Sequence, residues 1–251
     1  MKKLNFFYID ALELARQLTI LDSSLYSNIQ PMECLGKTWQ KVFMPSDAKM
    51  AKIVKARGLH SDRVTNWVSR TILIQSNMKR RTLETKQIVS IAENCRKLNN
   101  FFCLTSVIST LGSVPIHRSS KTWSMVDART VKTLGTMRKL IGIMKDFLEY
   151  RDSLHKADPP CIPDFRLYLR DLAFIEGDLP AMIINFVKYA KAADVIRDIQ
   201  QYQNVPYSLQ AVLELQEYIM LNLQSAIDID EMYNWSFQVE PMESGDGQIA
   251  R

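Results

Sequence analysis

The sequence predicts an all-α domain, and three observations carry that prediction. Only eight glycines occur in 251 residues, under half of the usual ~7%. No proline stands between Ser46 and Val114, which disfavours a turn-rich sandwich or barrel over that stretch. Apolar residues recur at steps of three and four along most of the chain, the spacing that gathers them on one side of a helix.

The first helix follows from Ala11, Leu14, Leu18, Leu21, Leu25 and Ile29, with Asp10 and Glu13 as N-cap and capping box and Pro31 as its stop. A short helix is expected over Met32 to Lys41, containing Trp39. Lys49 to Arg57 and Val64 to Gln75 read as two helices broken at Gly58. Arg81 to Leu98 carries one apolar side, whereas Asn100 to Leu111 is apolar almost all round, as a central helix should be. Gly112 to Pro115 interrupts, Trp123 to Met125 is a short element, and Asp127 to Leu154 is helical again. Asp158-Pro159-Pro160-Cys161-Ile162-Pro163 must be stiff and non-helical. Beyond it, Phe165 to Ile175 and Met182 to Tyr202 form a helical hairpin across a turn at Glu176 to Pro180. A last helix spans Leu209 to Ala226, Trp235 to Val239 is a short extended piece, and the residues from Met242 onward are expected to fray.

Composition bounds the function. Apolar residues make up 47% and charged residues 24%, enough for a core and too ordinary for a disordered or disulfide-built chain. The net charge of +5 conceals a division: residues 1–150 carry 24 Lys and Arg against 11 Asp and Glu, and residues 151–251 carry 8 against 16. A basic first half suits nucleic acid, an anionic membrane surface or an acidic protein partner, and charge by itself does not choose among them. The apolar stretch after Met1-Lys2-Lys3 ends at Asp10, too soon for a signal peptide, and no run approaches the ~18 residues of a membrane span. An intracellular protein is expected, with Cys34, Cys95, Cys103 and Cys161 as reduced core thiols in no zinc-binding pattern.

Bond-making machinery is absent from the pattern. There is no phosphate-binding glycine loop, dinucleotide fingerprint, zinc-protease motif, paired CxxC or nucleophile elbow. His60, His117 and His155 lie on separate elements and read as ordinary histidines. Lys79-Arg80-Arg81, the densest basic run, reads as a solvated helix start without the interleaved aromatics of a nucleic-acid surface.

Several segments, taken in order, carry a resemblance. They are Ala15-Arg16-Gln17-Leu18-Thr19 with Leu25-Tyr26 and Cys34-Leu35-Gly36; Leu98-Asn99-Asn100-Phe101; Ser113-Val114-Pro115-Ile116 with Arg118 and Lys121-Thr122-Trp123; Pro160-Cys161-Ile162-Pro163; Ile184-Asn185-Phe186 leading to Ile199-Gln200-Gln201-Tyr202-Gln203-Asn204; and Phe237-Gln238-Val239-Glu240-Pro241. Together they span Ile9 to Pro241, and the chain resembles the catalytic domain of Ras-family guanine-nucleotide exchange factors of the Son-of-sevenless type.

That resemblance implies a single bowl-shaped all-α domain over residues 1–241 with a protruding helical hairpin, and a disordered tail over 242–251. It implies a cytoplasmic exchange factor that binds a Ras-family small GTPase of Ras, Rap or Ral type and promotes GDP release without covalent chemistry. Recruitment to the inner membrane face would then come through the GTPase. No cofactor, metal, nucleic acid or stable homo-oligomer is implied. A non-catalytic GTPase-binding or scaffold domain with a degenerate hairpin is the alternative.

In the family the hairpin helix presents an apolar side chain and, four residues later, a Glu. Matching the Glu-Gly turn assigns these to Leu172 and Glu176; counting without a gap from Pro163 assigns them to Ala173 and Gly177. The first register is preferred because it retains an apolar residue and a carboxylate on one helical face. GTPase-facing positions correspond to Trp39, Thr105, Gly112, His117, Phe147, Phe165 and Asp178. Two departures stand out: Asp164 occupies a position where the family carries an aromatic, and Arg166 one where Gly is common. The turn between the hairpin helices is also shorter than in most relatives. Asp164 is expected to cap the following helix, with Phe165 taking the aromatic's role one position later.

Overall fold

A computed structural model of the chain describes residues 5–35, 52–142, 147–177, 186–224 and 227–241. Among them stand twelve α-helices, two 3₁₀ turns and no strand beyond an isolated bridge between Asn100 and Ile162. The all-α class is therefore observed, and none of the described helices is long and apolar enough to cross a membrane.

Helix α1 (Ala11–Ser27) begins where the sequence places it, with the Asp10 carboxylate accepting the Glu13 N–H at 2.9 Å. The reciprocal half of the capping box is not made; Glu13 instead takes the side chains of Arg16 and Gln17. A 3₁₀ turn over Pro31–Cys34 follows, and the rest of the expected Met32–Lys41 helix, Trp39 included, lies outside the described residues.

The break expected at Gly58 is absent. A single helix α2 (Lys52–Leu73) runs straight through it. Glycine costs a helix about 1 kcal/mol, and α2 offsets that by burying Val54, Arg57, Ser61, Val64 and Val68 along one continuous stripe. Helix α3 (Met78–Lys97) is capped by Asn77, whose Oδ1 accepts the Arg80 N–H at 3.1 Å. Helix α4 (Phe101–Leu111) is central: every residue but Ser109 is buried. Helix α1 packs on α3, α2 packs on α4, and α3 packs on α4.

Two short helices, α5 (Val114–His117) and α6 (Ser120–Ser124), lead to α7 (Ala128–Leu140) and α8 (Leu148–His155). The sequence predicts one helix over Asp127 to Leu154, but α7 ends at Leu140 and α8 starts from Phe147, which stands in the left-handed region at φ 60° and ψ 28°. Continuous apolar spacing did not reveal that change of backbone hand.

The proline segment sits across the start of α4. Ile162 donates its N–H to the Asn99 carbonyl at 2.9 Å and accepts those of Phe101 and Phe102 at 2.9 and 3.3 Å. The Asn99 amide reaches the Asp158 carbonyl at 2.9 Å. This fixes α9 (Phe165–Gly177) beside α4. Helix α10 (Phe186–Gln201) returns antiparallel to α9: Lys188 Nζ donates to the Glu176 carbonyl at 3.4 Å, and Tyr168 feels the charge of Asp198 at the opposite end. Helices α11 (Leu213–Leu223) and α12 (Ile229–Val239) complete the domain. The Trp235 to Val239 piece expected to be extended belongs to α12, because Met232 and Ser236 bury one side at helical spacing.

Candidate functional site

Between α4, α8 and the start of α9 lies a cavity of about 280 Å³. Thr105 and Ser109 line it from α4, Phe147 and Tyr150 from α8 and its cap, and Asp164, Arg166, Leu167 and Arg170 from α9 and its cap, with Ile141 closing one side. Its lining is mostly apolar, and its charged groups come from α9 and from Asp164 just ahead of it.

Each wall has a local cause. Thr105 donates its hydroxyl to the Phe101 carbonyl at 2.7 Å, which satisfies that group within α4. Ser109 follows four residues later, so the two share a ridge. Tyr150 is buried against Phe101 in an edge-to-face pair, 5.4 Å between centroids, and its hydroxyl accepts the Asp164 N–H at 2.7 Å. Burial pushes that phenol well above its ordinary pKa, so it stays protonated. Asp164 caps α9 as expected: Oδ1 accepts the Arg166 N–H at 3.2 Å. Its two oxygens also hold Arg166 Nε at 2.9 Å and Nη2 at 3.0 Å. Arg170 lies over the Phe147 ring, 4.7 Å from guanidinium carbon to centroid.

The structure thus brings Thr105 and Phe147 together on one cavity. Phe165 is elsewhere: it is buried, tilted against Tyr168 and facing Arg57, and is not among the cavity's lining residues. Gly112 caps the end of α4, three residues beyond Ser109, and His117 is exposed at the end of α5. Trp39 and Asp178 lie outside the described residues.

On the hairpin, Leu172 is fully buried and belongs to the core. Glu176 and Ala173 are half-buried, and α9 continues through Gly177. The outward stripe of α9 is Arg166, Arg170 and Phe174 at steps of four, and Phe174 is 73% exposed. Phe186, Val187 and Tyr189 at the start of α10 are exposed as well. Sequence reasoning missed Ser109, Tyr150 and Arg170. Ser109 had a signal, a polar residue one turn from Thr105 on an apolar helix; Tyr150 and Arg170 had none.

In the core, the Arg57 guanidinium is buried among the rings of Tyr26 and Phe102, at 5.0 and 4.2 Å. His60, Asp22, Asn100 and Thr19 form a buried cluster, with His60 Nε2 2.8 Å from Asp22 Oδ1 and the Asn100 amide donating to Asp22 at 2.7 Å. All four cysteines are buried thiols, and burial lifts Cys34 and Cys161 to about 12. Among the described residues no group of three His, Cys, Asp or Glu is placed to hold a metal ion.

The domain is thus all-helical, with an apolar, arginine-edged cavity that α9 of the helical hairpin helps to line. The family model of the RasGEF domain matches residues 13–190, and the chain belongs to that family. It is 35% identical over 255 residues to cell division control protein 25 of Candida albicans, covering 98% of this chain and 19% of that protein. It is 36% identical over 241 residues to Ras guanine nucleotide exchange factor K of Dictyostelium discoideum, covering 94% and 15%. It is 29% identical over 235 residues to the human Ras-specific guanine nucleotide-releasing factor 1, covering 92% and 18%. The chain therefore spans less than a fifth of the length of these relatives.

Proposed function

We propose that this domain binds a Ras-family small GTPase and accelerates release of its GDP. Membership in the RasGEF family carries the reading, and the names of the relatives support it. The cavity lined by Thr105, Phe147 and Tyr150 receives a side chain of the GTPase's switch 2. The exposed residues Phe174, Phe186, Val187 and Tyr189 give the hairpin an apolar end with which to displace switch 1.

No bond need be made or broken in the exchange factor. A surface that binds the nucleotide-free GTPase more tightly than the loaded form must weaken nucleotide binding by the same factor, since the coupling is reciprocal. The domain acts in the cytoplasm and reaches the inner membrane face through its partner.

One observation favours a second reading, in which the domain binds the GTPase without opening it. Leu172 is fully buried, so it does not present an apolar tip to the nucleotide site, and the other register has an alanine and a glycine at the two positions. Release of fluorescent GDP from a panel of Ras, Rap and Ral proteins separates the two. Acceleration of at least one supports exchange; a complex with an unchanged off-rate supports the second reading; neither would reject both.

A further inference from the structure

Arg166, like Arg170, lines the cavity and also offers its side chain outward. Its side chain is half exposed, and Asp164 grips it side-on through Nε and Nη2. A guanidinium has five N–H donors in a rigid fork. Side-on pairing uses one edge, leaving the Nη1 edge directed away from Asp164. The pair restrains the guanidinium plane, so presenting that edge to a partner costs less side-chain entropy than a free arginine would pay.

We propose that Arg166 is a specificity-determining residue, reading a carboxylate on the GTPase segment whose neighbouring apolar or aromatic side chain enters the cavity. The inference rests on the exchange reading above and adds to it the chemistry of the occupant. Three features support it. The cavity's lining is mostly apolar, and Arg166 stands on its α9 wall beside Leu167. Arg166 begins the outward stripe that continues through Arg170 to Phe174, so the exposed edge of the cavity on α9 opens with a guanidinium. Asp171, the other acidic residue on this part of α9, is bound by Arg151 at 2.8 and 2.9 Å. The remaining donor edge of a guanidinium beside an apolar pocket favours an acidic residue next to an apolar one, even with its charge offset by Asp164.

The test compares the wild-type chain, Arg166→Gln and Arg166→Lys, against a responsive GTPase and its variant with switch-2 carboxylates changed to amides. Release of fluorescent GDP and the Kd of the nucleotide-free complex are both measured. Arg166→Gln is expected to lower kcat/KM through KM by roughly five- to tenfold at low salt, with kcat unchanged, and the gap should close as screening rises. Arg166→Lys keeps the salt dependence and recovers part of the loss. On the amide-substituted GTPase, wild type and Arg166→Gln should match. Equal KM values for wild type and Arg166→Gln at low salt, or an undiminished difference on the amide-substituted GTPase, would overturn the proposal. If wild type binds without speeding release, exchange fails while the Kd comparison still decides the role of Arg166; if it does neither, both fall.

Discussion

Phe147 holds a conformation that its sequence neighbourhood did not announce. A bulky aromatic in the left-handed region costs about 1–2 kcal/mol, and such a cost persists where the surroundings over-determine the residue, commonly at working sites. Here Arg170 lies over the ring, and both side chains line the cavity. Phe147→Gly separates backbone from ring, because glycine accepts the left-handed backbone without that penalty. The expected outcome is an unfolding midpoint within a few degrees of wild type and GTPase affinity reduced about tenfold or more. Titration calorimetry and a thermal melt check the two halves. The resemblance implied that Thr105 and Phe147 face the partner, and what the structure adds is that both line one cavity, which Tyr150 and Arg170 join because α8 and α9 fold against α4.

At the scale of the element, the hairpin shows how helical spacing narrows an assignment without finishing it. Leu172 and Glu176 do lie four residues apart, but the face carrying Leu172 turns inward and Phe174 turns outward. Leu172→Ala should therefore cost about 2–5 kcal/mol, read as a lower denaturant midpoint. Phe174→Ala should shift stability by no more than about 0.5 kcal/mol and yet slow GDP release. The reverse result, a stable Leu172→Ala that abolishes exchange, would restore the register with Leu172 at the tip. The missed continuity of α2 through Gly58 and the helix at Trp235 to Val239 share one explanation. Local signals favoured a break in one place and extension in the other, and burial of a continuous stripe outweighed both.

For the whole molecule, the last turn of α12 and its cap Glu240 close the fold onto its middle. Glu240 accepts the Lys121 and Thr122 N–H groups at 3.0 and 2.9 Å and lies 3.1 Å from the buried Arg81 guanidinium. Arg118 donates to the Ser236 and Glu240 carbonyls at 2.8 and 2.9 Å and covers the Phe237 ring. Burial would raise the Glu240 carboxyl, but the Thr122 hydroxyl, the two backbone N–H groups and Arg81 together hold it below its ordinary value. A carboxyl lowered in the folded state contributes stability above its unfolded pKa of about 4.3 and loses it as pH falls through the folded value. Glu240→Ala should cost about 3 kcal/mol near neutral pH, since it leaves Arg81 buried without its carboxylate. In urea titrations the difference from wild type should shrink as pH falls below about 4. The sequence by itself determined that the chain is helical and where most helices lie, because apolar period and caps are local. Its ordered motifs also pointed to the family. Only the tertiary structure decided which face of α9 points outward, that Phe165 is core and not cavity wall, and that Arg166 stands beside an apolar pocket. Those facts depend on helices far apart in sequence competing for the same buried volume, and no local spacing records the outcome.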